Sequence, residues 1–201
     1  MPTVITEPPR VPPPLDPPRK RWTRAEVQVL EAAGMLDTTH LELIEGELIN
    51  KMGKRRPHGD SASLLHAWLI QVFGGRHVNS EMPIDVAPQD NPASQPEPDL
   101  IVVGRDYTAF RTKTPGPSDL ILVIEISDTT LAFDMGVKAA LYARAGIEDY
   151  WVLDIQGRRM FVHRDPQDGR YQSVVEYSEN EMIAPLAAPD HEFRVGDAFP
   201  E

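Results

Sequence analysis

Apolar residues along the chain fall into short runs that predict a β-sheet. The strongest runs are residues 99–104 (DLIVVG) and 120–127 (LILVIEIS), which are almost continuous in Val, Ile and Leu. Such runs are typical of strands buried on both faces. Weaker runs at 77–88 and 171–178 predict further strands. A carboxylate, Glu125, stands near the end of the most apolar run, where burial without a partner costs several kcal/mol or more.

Two segments with alternating apolar positions predict β-hairpins. Residues 41–50 (LELIEGELIN) flank the turn pair Glu45–Gly46, and residues 149–165 turn near Gln156–Gly157. Tyr150–Trp151 opens the second hairpin. These rings could stack on a base, but we favour packing between a helix and the sheet.

Three segments predict helices, and each ends in glycine. Residues 21–34 carry a capping box of Thr23 and Glu26. Residues 61–75 have apolar positions at helical spacing, and residues 133–146 form the third helix. The order of elements predicts an α/β (α+β) domain, in which helices flank one mixed β-sheet and an N-terminal helix and β-hairpin come first.

Proline separates the N-terminus from this domain. Residues 1–20 hold eight of the 20 prolines of the 201-residue chain. We therefore expect residues 1–21 to be an extended or disordered tail, or a proline motif that binds a partner. Residues 22–201 are expected to form a single domain.

Composition and charge exclude several classes of protein. The chain has no cysteine, which excludes disulfides, thiol catalysis and thiolate zinc sites. Its net charge of −11 argues against a protein that binds nucleic acid by charge alone. No apolar run could cross a bilayer and no signal core is present, so we expect a cytoplasmic protein away from membranes.

A basic loop at 51–60 is an exception to the acidic composition. It carries Lys51, Lys54, Arg55 and Arg56. These side chains could touch a phosphate backbone, or they could simply be solvated.

Two carboxylates could converge at one edge of the predicted sheet. Asp99 opens one strong strand, and Glu125 lies near the end of the next, 125 − 99 = 26 residues later. If the strands are neighbours, the two carboxylates need a cation, and oxygen ligands suit Mg²⁺ or Mn²⁺. The alternative is a turn aspartate and an edge glutamate in a salt bridge. Lys138 could orient an attacking water or hold a phosphate, or it could form an i,i+4 ion pair with Asp134.

The motifs together resemble a known family. They are E-L-I-x-G-E at 42–47, P-H-G at 57–59, P-D at 98–99, E-x-S at 125–127, D-x-x-x-K at 134–138 and Y-W-V-x-D at 150–154. This combination resembles the PD-(D/E)XK nuclease superfamily and, more narrowly, the Uma-two family of restriction endonuclease-like domains of unknown function. The resemblance runs from about Trp22 to about residue 196.

The resemblance implies a restriction-endonuclease-like core and a metal-dependent nuclease acting on DNA. Asp99, Glu125 and the carbonyl of Ile126 would hold Mg²⁺ or Mn²⁺. Ser127 stands where the superfamily has its lysine, and Lys138 on the next helix would take that role. Glu42, His58, Ser127 and Asp134 would support the site, although a histidine at a helix start is commonly only exposed.

Two other interpretations stay open. A catalytically degenerate nuclease fold could bind nucleic acid or protein, which Ser127 and the acidic charge favour. The fold could also serve assembly, with exposed hairpins pairing two copies into a homodimer.

Overall fold

The computed structural model describes residues 19–51 and 55–200. The predicted proline-rich tail therefore lies outside the described residues over its first 18 positions, as does Lys54 of the basic loop. Arg21, at the end of that predicted tail, lies against the first hairpin. Its Nη1 is 2.8 Å from Glu47 Oε1, and the Trp22 amide donates to the Gly46 carbonyl at 2.8 Å.

The N-terminal helix and hairpin form as predicted. Helix α1 spans Arg24–Ala32, and Thr23 and Glu26 make the expected reciprocal capping box. The hairpin pairs β1 (Leu41–Ile44) with β2 (Glu47–Asn50) in antiparallel register. Its turn uses positive φ at both central residues, 49° at Glu45 and 79° at Gly46, which suits a two-residue turn.

Helix α2 begins earlier than the sequence predicted. It spans Arg56–Phe73, so the prediction of a loop at 51–60 is wrong for its last five residues. Pro57 lies in the first turn of the helix, where its missing amide costs no hydrogen bond and its fixed φ favours the start. Leu65 and Leu69 of this helix are buried against the sheet.

Six strands make the central sheet in the order β3-β4-β5-β6-β7-β8. Neighbouring strands are antiparallel except β5 and β6, which are parallel. The predicted mixed sheet is therefore confirmed. The strands are β3 Val78–Ser80, β4 Leu100–Val103, β5 Leu120–Ser127, β6 Asp149–Asp154, β7 Arg159–Gln167 and β8 Arg170–Ser178. A second small sheet pairs β9 (Met182–Ile183) with β10 (Phe193–Arg194).

The predicted strand at 77–88 is mostly irregular. Only Val78–Ser80 pairs in the sheet. Glu81 then turns the chain with φ of 54°, and Pro83 has no amide to donate. The chain continues beside the loop that leads to β4, where the Ile84 amide donates to the Pro96 carbonyl at 3.0 Å.

The predicted helix at 133–146 contains a change of pitch. Helix α3 (Leu131–Phe133) runs into a π-helical turn at Asp134–Lys138 and continues as α4 (Ala139–Ala145). Such turns within helices are frequent at functional sites. Gly146 ends α4 with φ of 75°, a left-handed conformation that glycine adopts without strain.

The two faces of the sheet bury separate apolar clusters. Trp151 faces α2, with its ring centroid 6.3 Å from that of Trp68. Tyr150 faces α4, with its ring centroid 4.9 Å from that of Tyr142. Both residues of the Tyr150–Trp151 pair are fully buried, which confirms their predicted packing role. Among residues 19–51 and 55–200, no helix has the length and apolar character to cross a membrane.

Candidate active site

The antiparallel register of β4 and β5 brings Asp99 to Glu125. Leu100 pairs with Ile124, so Asp99, which directly precedes β4, faces the position of Glu125. Asp99 Oδ2 accepts the backbone N–H of Ile126 at 2.8 Å. The two strong strands are therefore neighbours, and both carboxylates line one cavity, as the sequence predicted.

Glu125 is buried and has two side-chain donors. Only 3% of its surface is exposed. Its Oε1 accepts from Lys138 Nζ at 3.0 Å and from the Tyr142 hydroxyl at 2.8 Å. The carboxylate in the apolar strand is thus held by two groups of one helix.

Lys138 bridges Glu125 and the first hairpin. Its Nζ lies 3.0 Å from Glu42 Oε1 as well as from Glu125 Oε1, and only 4% of the residue is exposed. Asp134 Oδ1 is 4.0 Å away. The i,i+4 pair with Asp134 is therefore the longest of the three contacts, and Lys138 mainly joins two carboxylates from other elements.

Ser127 contacts the start of the helix rather than Glu125. Its hydroxyl donates to Asp134 Oδ2, which also accepts from Thr130 Oγ1 at 2.6 Å. The backbone carbonyl of Asp134 accepts from the buried Tyr150 hydroxyl at 3.0 Å. Ser127 and Asp134 thus fix the helix that carries Lys138.

Glu42 and His58 complete the wall of the cavity. Glu42 is buried, and its Oε2 accepts the Glu97 amide at 3.3 Å. His58 is only 9% exposed, and its Nε2 lies 3.2 Å from Asp99 Oδ1. The alternative of an exposed histidine at a helix start is therefore wrong. His58 Nδ1 is buried without a hydrogen-bond partner among the described residues.

One ammonium serves several carboxylates in this site. Burial raises the pKa of Glu125 well above its ordinary value; Lys138 opposes this rise, and Asp134, Asp99 and Glu42 add to it. Burial alone would lower the pKa of Lys138, but Glu125, Glu42 and Asp134 outweigh burial and raise it. The carboxylates therefore favour the charged form of Lys138, whose one ammonium interacts with Glu125, Glu42 and Asp134.

The cavity has a volume of about 180 Å³, and two members of the predicted basic loop stand at it. Lys51 Nζ pairs with Glu97 Oε2, and Arg55 Nε lies 2.8 Å from Asp128 Oδ2. Arg56 is 92% exposed in its side chain and does not line the cavity. The cations that do reach it are already paired with acidic neighbours.

A family model described as "Uma2: Putative restriction endonuclease" matches residues 25–196, most of the chain. The chain belongs to the Uma2 family. Its fold is similar to the crystal structure titled as a putative nuclease belonging to DUF820 from Anabaena variabilis ATCC 29413. That match has a TM-score of 0.64 and 18% sequence identity, and covers 88% of this chain and 97% of the other. No curated protein matches the chain.

Four ionisable residues of the cavity region in this Uma2 chain were not predicted from the sequence. Tyr142 binds Glu125 directly, and Glu81, Glu97 and Asp128 line the cavity. The spacing of Asp134, Lys138 and Tyr142 at i, i+4 and i+8 is a signal that could have found Tyr142, because such residues share one helical face. Glu97 and Asp128 lie in irregular segments, where spacing predicts no common face.

The composition of this Uma2 site fits a divalent cation. Seven carboxylates line the cavity against three cationic side chains, and hard divalent ions prefer oxygen ligands. The acidic residues are Glu42, Glu81, Glu97, Asp99, Glu125, Asp128 and Asp134, and the cationic ones are Lys51, Arg55 and Lys138. Within the described ranges, no three or more His, Asp or Glu side chains are grouped so that they could hold a metal ion. The ligands expected from the sequence include only two such side chains, Asp99 and Glu125, besides the Ile126 carbonyl.

Proposed function

We propose that this protein is a metal-dependent nuclease that hydrolyses phosphodiester bonds of DNA. In this proposal Asp99, Glu125 and the Ile126 carbonyl hold Mg²⁺ or Mn²⁺, and Lys138 assists the attacking water. The family description and the nuclease title of the structural neighbour support the reaction class. The acidic cavity supports the metal.

The observation that carries the proposal is the contact of Lys138 with Glu125. The superfamily pattern expects a lysine two residues after the acidic residue, where this chain has Ser127. The helix after β5 instead brings Lys138 Nζ to 3.0 Å from Glu125 Oε1. A lysine is therefore beside the acidic residue although its place in the sequence has moved.

A bound divalent ion would supply charge neutralisation at the phosphate and a water acidic enough to attack near neutral pH. The chain's own residues have separate tasks. Asp99 and Glu125 would hold the ion, and the charged Lys138 would hydrogen-bond the attacking water or a phosphate oxygen. Tyr142 and the Ile126 amide fix the two carboxylates through hydrogen bonds of 2.8 Å each.

Nicking of supercoiled plasmid DNA tests the proposal. We expect the wild-type protein to nick the plasmid when Mg²⁺ or Mn²⁺ is present. Nicking should stop when EDTA removes the ion. Asp99→Ala and Glu125→Ala should each lower the rate at least 100-fold, since each removes a proposed ligand. Metal-dependent nicking that survives in both variants would refute these roles.

The same assay addresses the non-catalytic alternative. The folded wild-type protein could bind DNA and yet fail to cleave it, whichever divalent ion is added. That result would favour a binding module without catalysis. The cytoplasmic location and the homodimer remain predictions from the sequence.

A further inference from the structure

A second groove lies beside the candidate active site, in the connection between β4 and β5. It has a volume of about 490 Å³. Its walls include Tyr107, Phe110, Arg111 and Lys113, and the apolar side chains of Ile101 and Val103 line it from the sheet. We call it the 107–113 groove. No sequence motif predicts a role for this segment.

Cationic residues concentrate around the 107–113 groove. Arg111 and Lys113 line it, and Arg76 and Arg105 lie against its two aromatic rings. Two carboxylates accompany these four cations. Asp106 pairs with Arg76, and Asp119 pairs with Arg105 and, at 3.9 Å, with Lys113. The local balance of 4 − 2 = +2 contrasts with the net charge of −11 of the chain.

Arg111 is the cation most available to a ligand. It is exposed, and within residues 19–51 and 55–200 no carboxylate forms an ion pair with it. Lys113 has half of its side chain exposed and only the long contact with Asp119. Both side chains could therefore bind phosphate without first breaking a short ion pair.

The two aromatic rings differ in what they can bind. Tyr107 is 45% exposed, and one cation, Arg76, lies over its ring at 5.9 Å from the centroid. Phe110 is half-buried and has Arg105 and Lys113 each at 5.4 Å. Phe110 thus orients cations, whereas the exposed part of Tyr107 can stack on a planar group.

The 107–113 groove and the active-site cavity lie along one face of the sheet. Asp99, Ile101 and Val103 alternate along β4, so their side chains point the same way. Four residues of extended chain span about 14 Å. Between the two sites, Glu81 lines the cavity and its neighbour Met82 lines the groove. A continuous ligand could therefore reach from one to the other across the Glu81–Met82 segment.

We propose that the 107–113 groove binds a single strand of DNA and leads it to the Asp99–Glu125 cavity. This inference rests on the proposed nuclease function, for which it names the substrate class. Arg111 and Lys113 bind phosphates, and Tyr107 stacks on a base. Grooves that bind single strands combine these two elements: cations that follow the backbone and aromatic side chains that receive unpaired bases. In a duplex the bases are stacked on each other, and Tyr107 would have no base to receive.

A pair of charge-matched variants tests the groove by binding alone. Arg111→Glu and Arg170→Glu each change the net charge from −11 to −13. Arg170 is also exposed and without an ion-pair partner in the described part of the chain, but lies on β8 at the other edge of the sheet. Affinity is measured by fluorescence anisotropy with a labelled single-stranded oligonucleotide in EDTA, which prevents cleavage. We expect Arg111→Glu to weaken binding at least ten-fold and Arg170→Glu less than two-fold.

Two further measurements separate stacking from charge. Tyr107→Ala should weaken single-strand binding at least five-fold, while Tyr107→Phe, which keeps the ring, stays within two-fold of wild type. The double variant Arg111→Ala/Lys113→Ala should lower the slope of log affinity against log salt by about 1.4, or about 0.7 for each lost phosphate contact on a single strand. A matched duplex of the same length should bind at least ten-fold more weakly than the single strand.

The outcomes distinguish this inference from the proposed function. Three results would each overturn the proposed role of the groove. They are equal losses of affinity in Arg111→Glu and Arg170→Glu, no single-strand binding by the wild type, and losses of affinity confined to duplex DNA. If the predicted binding losses occur in a protein that cleaves nothing, the groove stands and the nuclease function fails. If plasmid nicking depends on Asp99 and Glu125 but the groove variants bind normally, the function stands and the groove fails.

Discussion

Lys138 Nζ lies 3.0 Å from Glu125 Oε1, although 13 residues separate the two along the chain. The same Nζ is 3.0 Å from Glu42 Oε1, and all three residues are buried. One ammonium thus joins a central strand, the N-terminal hairpin and the helix that follows the strand. In the proposed function, Lys138 takes the role of the lysine that the superfamily pattern would have at Ser127.

Lys138→Met should destabilise the protein by about 3–5 kcal/mol, because removing one partner of a buried ion pair leaves uncompensated charge. Urea unfolding in EDTA measures the free energy. Adding Glu125→Gln to Lys138→Met should recover at least about 1 kcal/mol, since it removes one of the unpaired carboxylates. Strictly additive effects, or a loss below about 1 kcal/mol in Lys138→Met, would show that the two residues are not coupled.

Tyr142→Phe should lower the rate of plasmid nicking about 10–100-fold with little change in the amount of folded protein. The variant removes the hydroxyl that donates to Glu125 Oε1 at 2.8 Å, and losing a group that orients a metal ligand typically costs this much. Tyr171→Phe is the matched control, because its hydroxyl donates to the Ile147 carbonyl, and neither residue lines the cavity. It should nick within three-fold of wild type. Equal losses of nicking rate in both variants would show that Tyr142 does not position Glu125 for the reaction.

His163 should make the protein less stable in mild acid. It is 2% exposed, between Tyr150 and Tyr171, and burial lowers its pKa from 6.5 to about 4. The contribution of the neutral His163 to the free energy of unfolding is complete above pH 6.5. It is lost as the pH falls toward 4, because the unfolded chain takes up the proton at higher pH than the folded one. The pKa difference of 6.5 − 4 = 2.5 corresponds to about 3 kcal/mol of the free energy of unfolding.

His163→Phe should remove that part of the pH dependence when the free energy of unfolding is compared between pH 7 and pH 4. His191→Gln changes an exposed histidine and should leave the dependence as in wild type. If His163→Phe and wild type lose stability in parallel between these pH values, His163 does not account for the effect.

The sequence predicted the parts of the site that follow from strand periodicity. Two apolar runs, with Asp99 before one and Glu125 inside the other, predicted that the carboxylates would converge if the strands were neighbours. The register of β4 and β5 meets that condition. The hairpin and the capping box were also predicted, because each depends on residues that are close together in the sequence. The strand predicted at 77–88 forms only at Val78–Ser80. Glu81, with its positive φ, and Pro83 end the pairing within an otherwise strand-like segment.

The contacts around Lys138 could not be predicted from spacing alone. Its distance to Glu42 depends on how the N-terminal hairpin packs on the helix after β5, which is a tertiary relationship. The π-helical turn at Asp134–Lys138 also alters the direction of the side chains from that of a regular helix. The burial of His58 followed from the earlier start of α2, which Pro57 permits and which apolar periodicity does not reveal.

Calorimetric titration with Mn²⁺ tests most directly the claim that Asp99 and Glu125 share one divalent cation. We predict one binding site in the wild-type protein, and at least ten-fold weaker binding in both Asp99→Asn and Glu125→Gln, with circular dichroism confirming that both are folded. Glu179→Gln changes a carboxylate that pairs with Arg158, and neither residue lines the cavity; this variant should bind Mn²⁺ as wild type does. Mn²⁺ binding that is absent in the wild type, or unchanged in either ligand variant, would contradict the account.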